Sequence, residues 1–187
     1  MGLVKMVNSI TRKQLNKYMD NYESIFLKLG EIVITDKPVL IRTVLGSCLS
    51  VIFYNKKTKL SGICHAQLPE RYDGNSDCFD NCPVNCKTKV ADSCDFKYVT
   101  CSIQYMIDEF SKRAIPKDKI DIKIFGGASV IPNIKNNQTI GESNFNTAIK
   151  LLNENKMNVK QKVVGGKQGM NLYFLPETGD VYLSRQK

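Results

Sequence analysis

Four β-rich runs crowd the stretch from Glu31 to Ala66 with only short breaks between them, and this limits the fold more than any other feature of the chain. Glu31 to Ile34 and Val39 to Leu45 are separated by the turn Thr35-Asp36-Lys37-Pro38, and Leu49 to Tyr54 resumes the pattern after Gly46-Ser47-Cys48. Asn55 to Lys59 makes a turn, and Leu60 to Ala66 returns as a short strand. The last two runs predict a hairpin-like unit that carries His65 back beside the start of Leu49 to Tyr54. Residues far apart in the chain, Cys48 and His65, can therefore meet.

The other elements read as a mixture. Leu15, Tyr18, Met19, Tyr22, Ile25, Phe26 and Leu29 recur at steps of three and four, which predicts one amphipathic helix ending at Gly30 and an N-terminal helical extension over 1–30. Tyr98, Val99, Ile103, Met106, Ile107 and Phe110 repeat that spacing up to the Pro116 break, and a further helix is expected at about Asn144 to Asn155. Ile120 to Phe125 reads as a strand running into Gly126-Gly127, where a tight turn lets backbone approach the Cys48 loop. Leu172 to Leu175 and Val181 to Leu183 flank a hairpin turn. Without a regular βαβ repeat, the expectation is a single α+β domain over 31–187, layered with mixed sheets. Its interruption at about 71–95, rich in Asp, Asn, Gly and Cys, reads as an insert.

A chain of 187 residues is long enough for one domain with a real core. No apolar run approaches the ~20 residues of a membrane span, and Met1 to Lys17 holds no apolar leader core. Seven cysteines in such a chain point to a reducing cytoplasm, where thiols serve chemistry or metals more often than bridges. The net charge of +9 is spread along the sequence, and no nucleic-acid motif or aromatic-interleaved basic stripe accompanies it.

His65 is the single histidine of the chain. A thiol with an ordinary pKa of about 8.5 becomes a useful nucleophile when an adjacent imidazole takes its proton, so Cys48 and His65 form a candidate catalytic pair. Gly46 and Ser47 are small enough for backbone N–H groups to approach an oxyanion. Judged singly, each member of the pair is as readily a buried structural residue. Cys64 serves as a control, because strand alternation turns it to the face opposite His65, where a small core residue is expected.

A second cluster is made of Cys78, Cys82 and Cys86, spaced C-x3-C-x3-C, with Cys94 and Cys101 beyond. Such spacing suits zinc, which would order a polar lobe lacking a core of its own. The spacing matches neither ferredoxin pattern. The alternative is an unmetallated loop whose cysteines are incidental or pair on oxidation.

Taken in order, Thr43-Val44-Leu45-Gly46-Ser47-Cys48, Gly62-Ile63-Cys64-His65-Ala66-Gln67-Leu68-Pro69, Lys123-Ile124-Phe125-Gly126-Gly127-Ala128, Ile140-Gly141-Glu142-Ser143-Asn144 and Val164-Gly165-Gly166 resemble the chemoreceptor glutamine deamidase family, CheD. The resemblance implies an α/β/β layered fold and deamidation of glutamines on chemoreceptor cytoplasmic helices through a cysteine thioester. It implies no cofactor for catalysis, and the CheC phosphatase as a partner. A threonine completes the family's site, often six residues before the cysteine. Arg42 holds that position here and Thr43 follows it, and the resemblance makes Thr43 the candidate third member of the site, orienting His65. Ser143 and Val163 also depart from the family's arginine and aspartate. A rival reading keeps the fold as a non-catalytic receptor- or CheC-binding module, gated by the Cys-rich metal site.

Overall fold

The computed structural model describes residues 8–9, 11–70, 96–129 and 139–185. Among these residues ten strands form two five-stranded sheets. The first contains β1 (Asn8–Ser9), β2 (Glu23–Phe26), β4 (Val39–Leu45), β9 (Met170–Leu175) and β10 (Asp180–Arg185), in the order β1-β10-β9-β4-β2. The second contains β3 (Ile32–Thr35), β5 (Leu49–Tyr54), β6 (Ser61–Cys64), β7 (Asp121–Gly126) and β8 (Val159–Val164), in the order β3-β6-β5-β7-β8. Both sheets are mixed, since β1 runs parallel to β10, β2 to β4 and β8 to β7, while the remaining pairs are antiparallel.

Two cores define the layers. Ile41, Leu45, Leu172 and Phe174 of the first sheet pack against Ile52, Ile63 and Phe125 of the second. On the other side of the second sheet, Leu49, Val51, Phe53, Cys64, Ile122 and Ile124 meet α2 (Val99–Lys112) and α3 (Ile140–Glu154) through Ile103, Met106, Phe110, Ala148 and Leu152. The order is helices, second sheet, first sheet: the expected α/β/β layering. Covered on both faces, β5 is buried at every position, which explains its unbroken apolar run.

The helix expected up to Gly30 is shorter. It runs over Arg12–Asn21 as α1, opened by a capping box between Thr11 and Gln14, and the chain then turns extended as β2. Ile25, Phe26 and Leu29 fit a helical stripe only by spacing. In the structure Leu27 is the buried residue of that stretch, while Phe26 and Leu29 are 48% and 46% exposed. Backbone pairing with β4, with Phe26 opposite Arg42, takes up the hydrogen-bonding groups a helix would have used. Helix α3 begins a turn earlier than Asn144, at the Thr139/Glu142 capping box, and β8, a lysine-containing edge strand, was not anticipated. The 71–95 insert lies outside the described residues.

Candidate active site

The two sheets meet at the site. Leu49 and Ala66 exchange backbone hydrogen bonds of 2.8 and 2.9 Å, which continues the β5–β6 register beyond Ile52 opposite Ile63. The same register sets His65 opposite Ser50, so Cys48, two residues before Ser50, lies on the His65 face as its diagonal neighbour. That face looks into the inter-sheet core, where Cys48 is partly buried and His65 is 6% exposed. Cys64 points the other way, fully buried among the side chains under the helices, and burial pushes its thiol up to about 11.

The backbone of His65 is held by the segment leading into β3. Its N–H donates to Glu31 O at 3.0 Å and its carbonyl accepts from Gly30 N at 2.8 Å. The third member arrives from the opposite sheet: Thr43, on β4, is 1% exposed and its Oγ1 lies 2.8 Å from His65 Nδ1. The Thr43 hydroxyl donates its proton to Leu27 O at 2.8 Å. Having one proton to give, Thr43 Oγ1 accepts from His65 Nδ1–H, and this sets the tautomer. Nε2 is left as the acceptor nitrogen, buried and without a hydrogen-bond partner among the described residues. Arg42, next in sequence, alternates to the outer face of the first sheet, its guanidinium 5.5 Å from the Phe26 ring centre. Strand phase thus places Thr43 at the histidine, although Arg42 occupies the position six residues before the cysteine.

Burial pushes the Cys48 thiol above its ordinary value, opposed in part by its own backbone N–H. Burial likewise pulls His65 below its ordinary value, against the Leu27 carbonyl and the Glu31 carboxylate. Both shifts favour a neutral thiol beside a neutral imidazole at rest. Such a pair transfers its proton when the sulfur attacks, and does not store an ion pair beforehand.

The loop carrying Cys48 is pinned at three successive carbonyls. Gly46 O accepts from Ala128 N at 2.8 Å, Ser47 O from Asn144 Nδ2 at 3.0 Å and Cys48 O from Gly127 N at 2.8 Å. Among the described residues the N–H groups of Ser47 and Cys48 have no backbone acceptor. Gly126 (φ +105°) must be glycine, because a Cβ there would stand 2.2 Å from Cys48 O. The Gly126-Gly127 turn therefore gives backbone access to the Cys48 loop, as its sequence suggested. Leu27 and Asn144 carried no assigned role in the sequence reading. The signal for Asn144 was its place in the Gly-Glu-Ser-Asn block, and for Leu27, whose backbone carbonyl does the work, there was none.

Of the five clustered cysteines, Cys101 is buried on α2 outside the cluster that the helix packs on the second sheet. Cys78, Cys82, Cys86 and Cys94 lie outside the described residues. Among the described residues no group of three or more His, Cys, Asp or Glu side chains is arranged to hold a metal, and no helix is long and apolar enough to cross a membrane.

Comparison with known proteins identifies relatives of the chain. A family profile described as CheD chemotactic sensory transduction matches residues 83–185. The chain is 32% identical over 161 residues to the probable chemoreceptor glutamine deamidase CheD 2 of Geobacter sulfurreducens, covering 86% of this chain and 89% of that protein. A stretch that long in this chain necessarily contains Thr43, Cys48 and His65. It is 31% identical to a probable chemoreceptor glutamine deamidase CheD of Pyrococcus abyssi, over 75% of this chain and 78% of the relative. The corresponding protein of Oleidesulfovibrio alaskensis is 29% identical over 85% and 71%. With more than half its length matched by the family profile and most of it by these relatives, the chain belongs to the CheD family.

Proposed function

We propose that this protein is a chemoreceptor glutamine deamidase that hydrolyses side-chain amides through Cys48. The observation that carries the reading is the 2.8 Å contact between Thr43 Oγ1 and His65 Nδ1, which leaves Nε2 as the unpartnered acceptor while Cys48 lies on the same face of the sheet. A primary amide is a poor electrophile, and its hydrolysis needs a nucleophile, oxyanion stabilisation and a proton for ammonia. Cys48 Sγ attacks the amide carbon as its proton passes to His65 Nε2, and the carbonyl electrons move to the oxygen. Backbone N–H groups of the Ser47-Cys48 step face that oxyanion. The C–N bond then breaks, Nε2–H protonates the departing ammonia, and a thioester remains. His65 next takes a proton from water, whose oxygen attacks the thioester and releases glutamate and the thiol. Thr43 accepts Nδ1–H throughout, holding the ring in place whether it is neutral or charged. No cofactor enters this sequence.

The relatives' names supply the substrate class, glutamines of chemoreceptors. Family membership supports a cytoplasmic site of action on receptor helices and CheC as a binding partner. The Cys-x3-Cys-x3-Cys spacing supports a structural zinc held by four thiolates drawn from Cys78, Cys82, Cys86, Cys94 and Cys101, separate from catalysis. Elemental analysis of protein purified without chelator should return close to one equivalent. Absence of metal together with free alkylation of Cys78, Cys82, Cys86 and Cys94 would remove that part of the proposal.

Mass spectrometry of a chemoreceptor cytoplasmic fragment tests the main reading. Wild-type protein should produce the small mass gain of glutamine to glutamate, and Cys48→Ala and His65→Ala should not. Undiminished conversion by a normally folded Cys48→Ala protein would falsify it.

A further inference from the structure

Asn144 is fully buried in the first half of α3, and its amide spans two chain segments distant in sequence. Nδ2 donates to Ser47 O at 3.0 Å and to Gln67 O at 2.8 Å, which uses both of its protons. Oδ1 is buried and has no partner among the described residues. An unpaired buried acceptor is a cost that a purely structural position would be expected to avoid. The amide is held in place by the close packing of α3 on the Gly127 turn, where a Cβ on Gly141 would come within 2.3 Å of Gly127 O.

In a trans peptide the C=O and the following N–H point in opposite directions. Fixing Ser47 O on Asn144 therefore fixes the direction of the Cys48 N–H, because both belong to one rigid plane. That N–H lies close enough to its own sulfur to favour the thiolate, which is where the oxygen of an amide attacked by Cys48 would develop charge. We propose that Asn144 is a positioning residue for the deamidation: it holds the Ser47–Cys48 peptide so that the Cys48 N–H serves the oxyanion, and the bond to Gln67 O keeps the amide from rotating away. This role rests on the deamidase reading and assigns its oxyanion donor.

The test compares two reactions of the same thiol. Deamidation passes through an oxyanion, whereas alkylation of Cys48 by iodoacetamide is displacement at a saturated carbon and does not. In Asn144→Ala, kcat on the receptor fragment should fall about 10- to 100-fold, up to the loss seen when a single oxyanion donor is removed, with KM little changed. The plateau rate of Cys48 alkylation at high pH, followed by peptide mass spectrometry, should stay close to wild type, while its pH midpoint moves upward because the Cys48 N–H also favours the thiolate. Asn144→Leu keeps the side chain's branched shape while lacking both donors, and should behave alike if the alanine variant folds poorly. A kcat near wild type in a folded variant would overturn the proposal, as would a parallel fall of deamidation and plateau alkylation, the mark of a merely structural residue. Wild-type and Cys48→Ala controls keep the two ideas apart, since persistent activity without Cys48 removes the deamidase reading itself, whatever Asn144 does.

Discussion

Thr43→Val removes one hydroxyl and almost nothing else, because valine matches threonine in volume and β-branching and the Thr43 side chain is shielded from water. The change leaves two groups without their partner, the Leu27 carbonyl and the His65 Nδ1–H. Each buried polar group stranded in this way costs about 1–3 kcal/mol. The Leu27 carbonyl already lies near enough to the imidazole to support its charged form, so the ring can turn toward it and recover part of the loss. The net cost should then be about 2 kcal/mol, which for a chain of this length lowers Tm by roughly 4–8 °C. Activity should suffer more than stability. A ring turned toward Leu27 no longer presents Nε2 to Cys48, and misplacement by about 1 Å can cost roughly 100-fold in rate. Thermal unfolding by circular dichroism and single-turnover deamidation of a receptor fragment measure the two effects. Thr43→Ser keeps the hydroxyl and should restore most of the rate, while Arg42→Ala, on the outer face, should leave the chemical step unchanged. A Thr43→Val protein within about threefold of wild type in kcat, or an Arg42→Ala protein that loses the chemical step, would show that the tautomer argument is wrong.

Two further outcomes follow from the same geometry. Burial lowers the His65 pKa from 6.5 and raises that of Cys48 from 9.0, so kcat/KM should be flat from about pH 7 to 9, with its acid limb below 6.5; an acid midpoint at or above 7 contradicts the neutral resting pair. Because the depressed value belongs to the folded state, the unfolded chain takes up that proton first, and this contribution to stability is complete above the ordinary histidine value and lost as pH falls through the lowered one. Gly126→Ala forces a Cβ against Cys48 O at a φ of +105°, and should both lower Tm and depress kcat by displacing the nucleophile loop. Unchanged kcat in that variant would mean the turn does not set the position of Cys48.

Local pattern determined a good part of this protein. The apolar runs of β4 and β5, the turn at Asn55–Lys59 and the return through β6 already bring Cys48 and His65 to one face, because strand alternation and a short hairpin depend only on neighbouring residues. The same alternation sends Cys64 to the opposite core. Periodicity failed at Ile25, Phe26 and Leu29, whose spacing fits a helix; pairing with β4 made Ile25 and Phe26 part of a strand, and Leu29 falls in the turn after it. Only the tertiary structure put Thr43 against His65 and Arg42 on the outer face, since counting from the cysteine says nothing about which face of β4 looks into the sandwich. Only the tertiary structure brought the Leu27 carbonyl and the Asn144 amide to the site, and neither contact has a sequence period. A histidine tautomer and a peptide orientation are set by hydrogen bonds between segments 16 to 97 residues apart, and such partners meet only when the two sheets and α3 have packed.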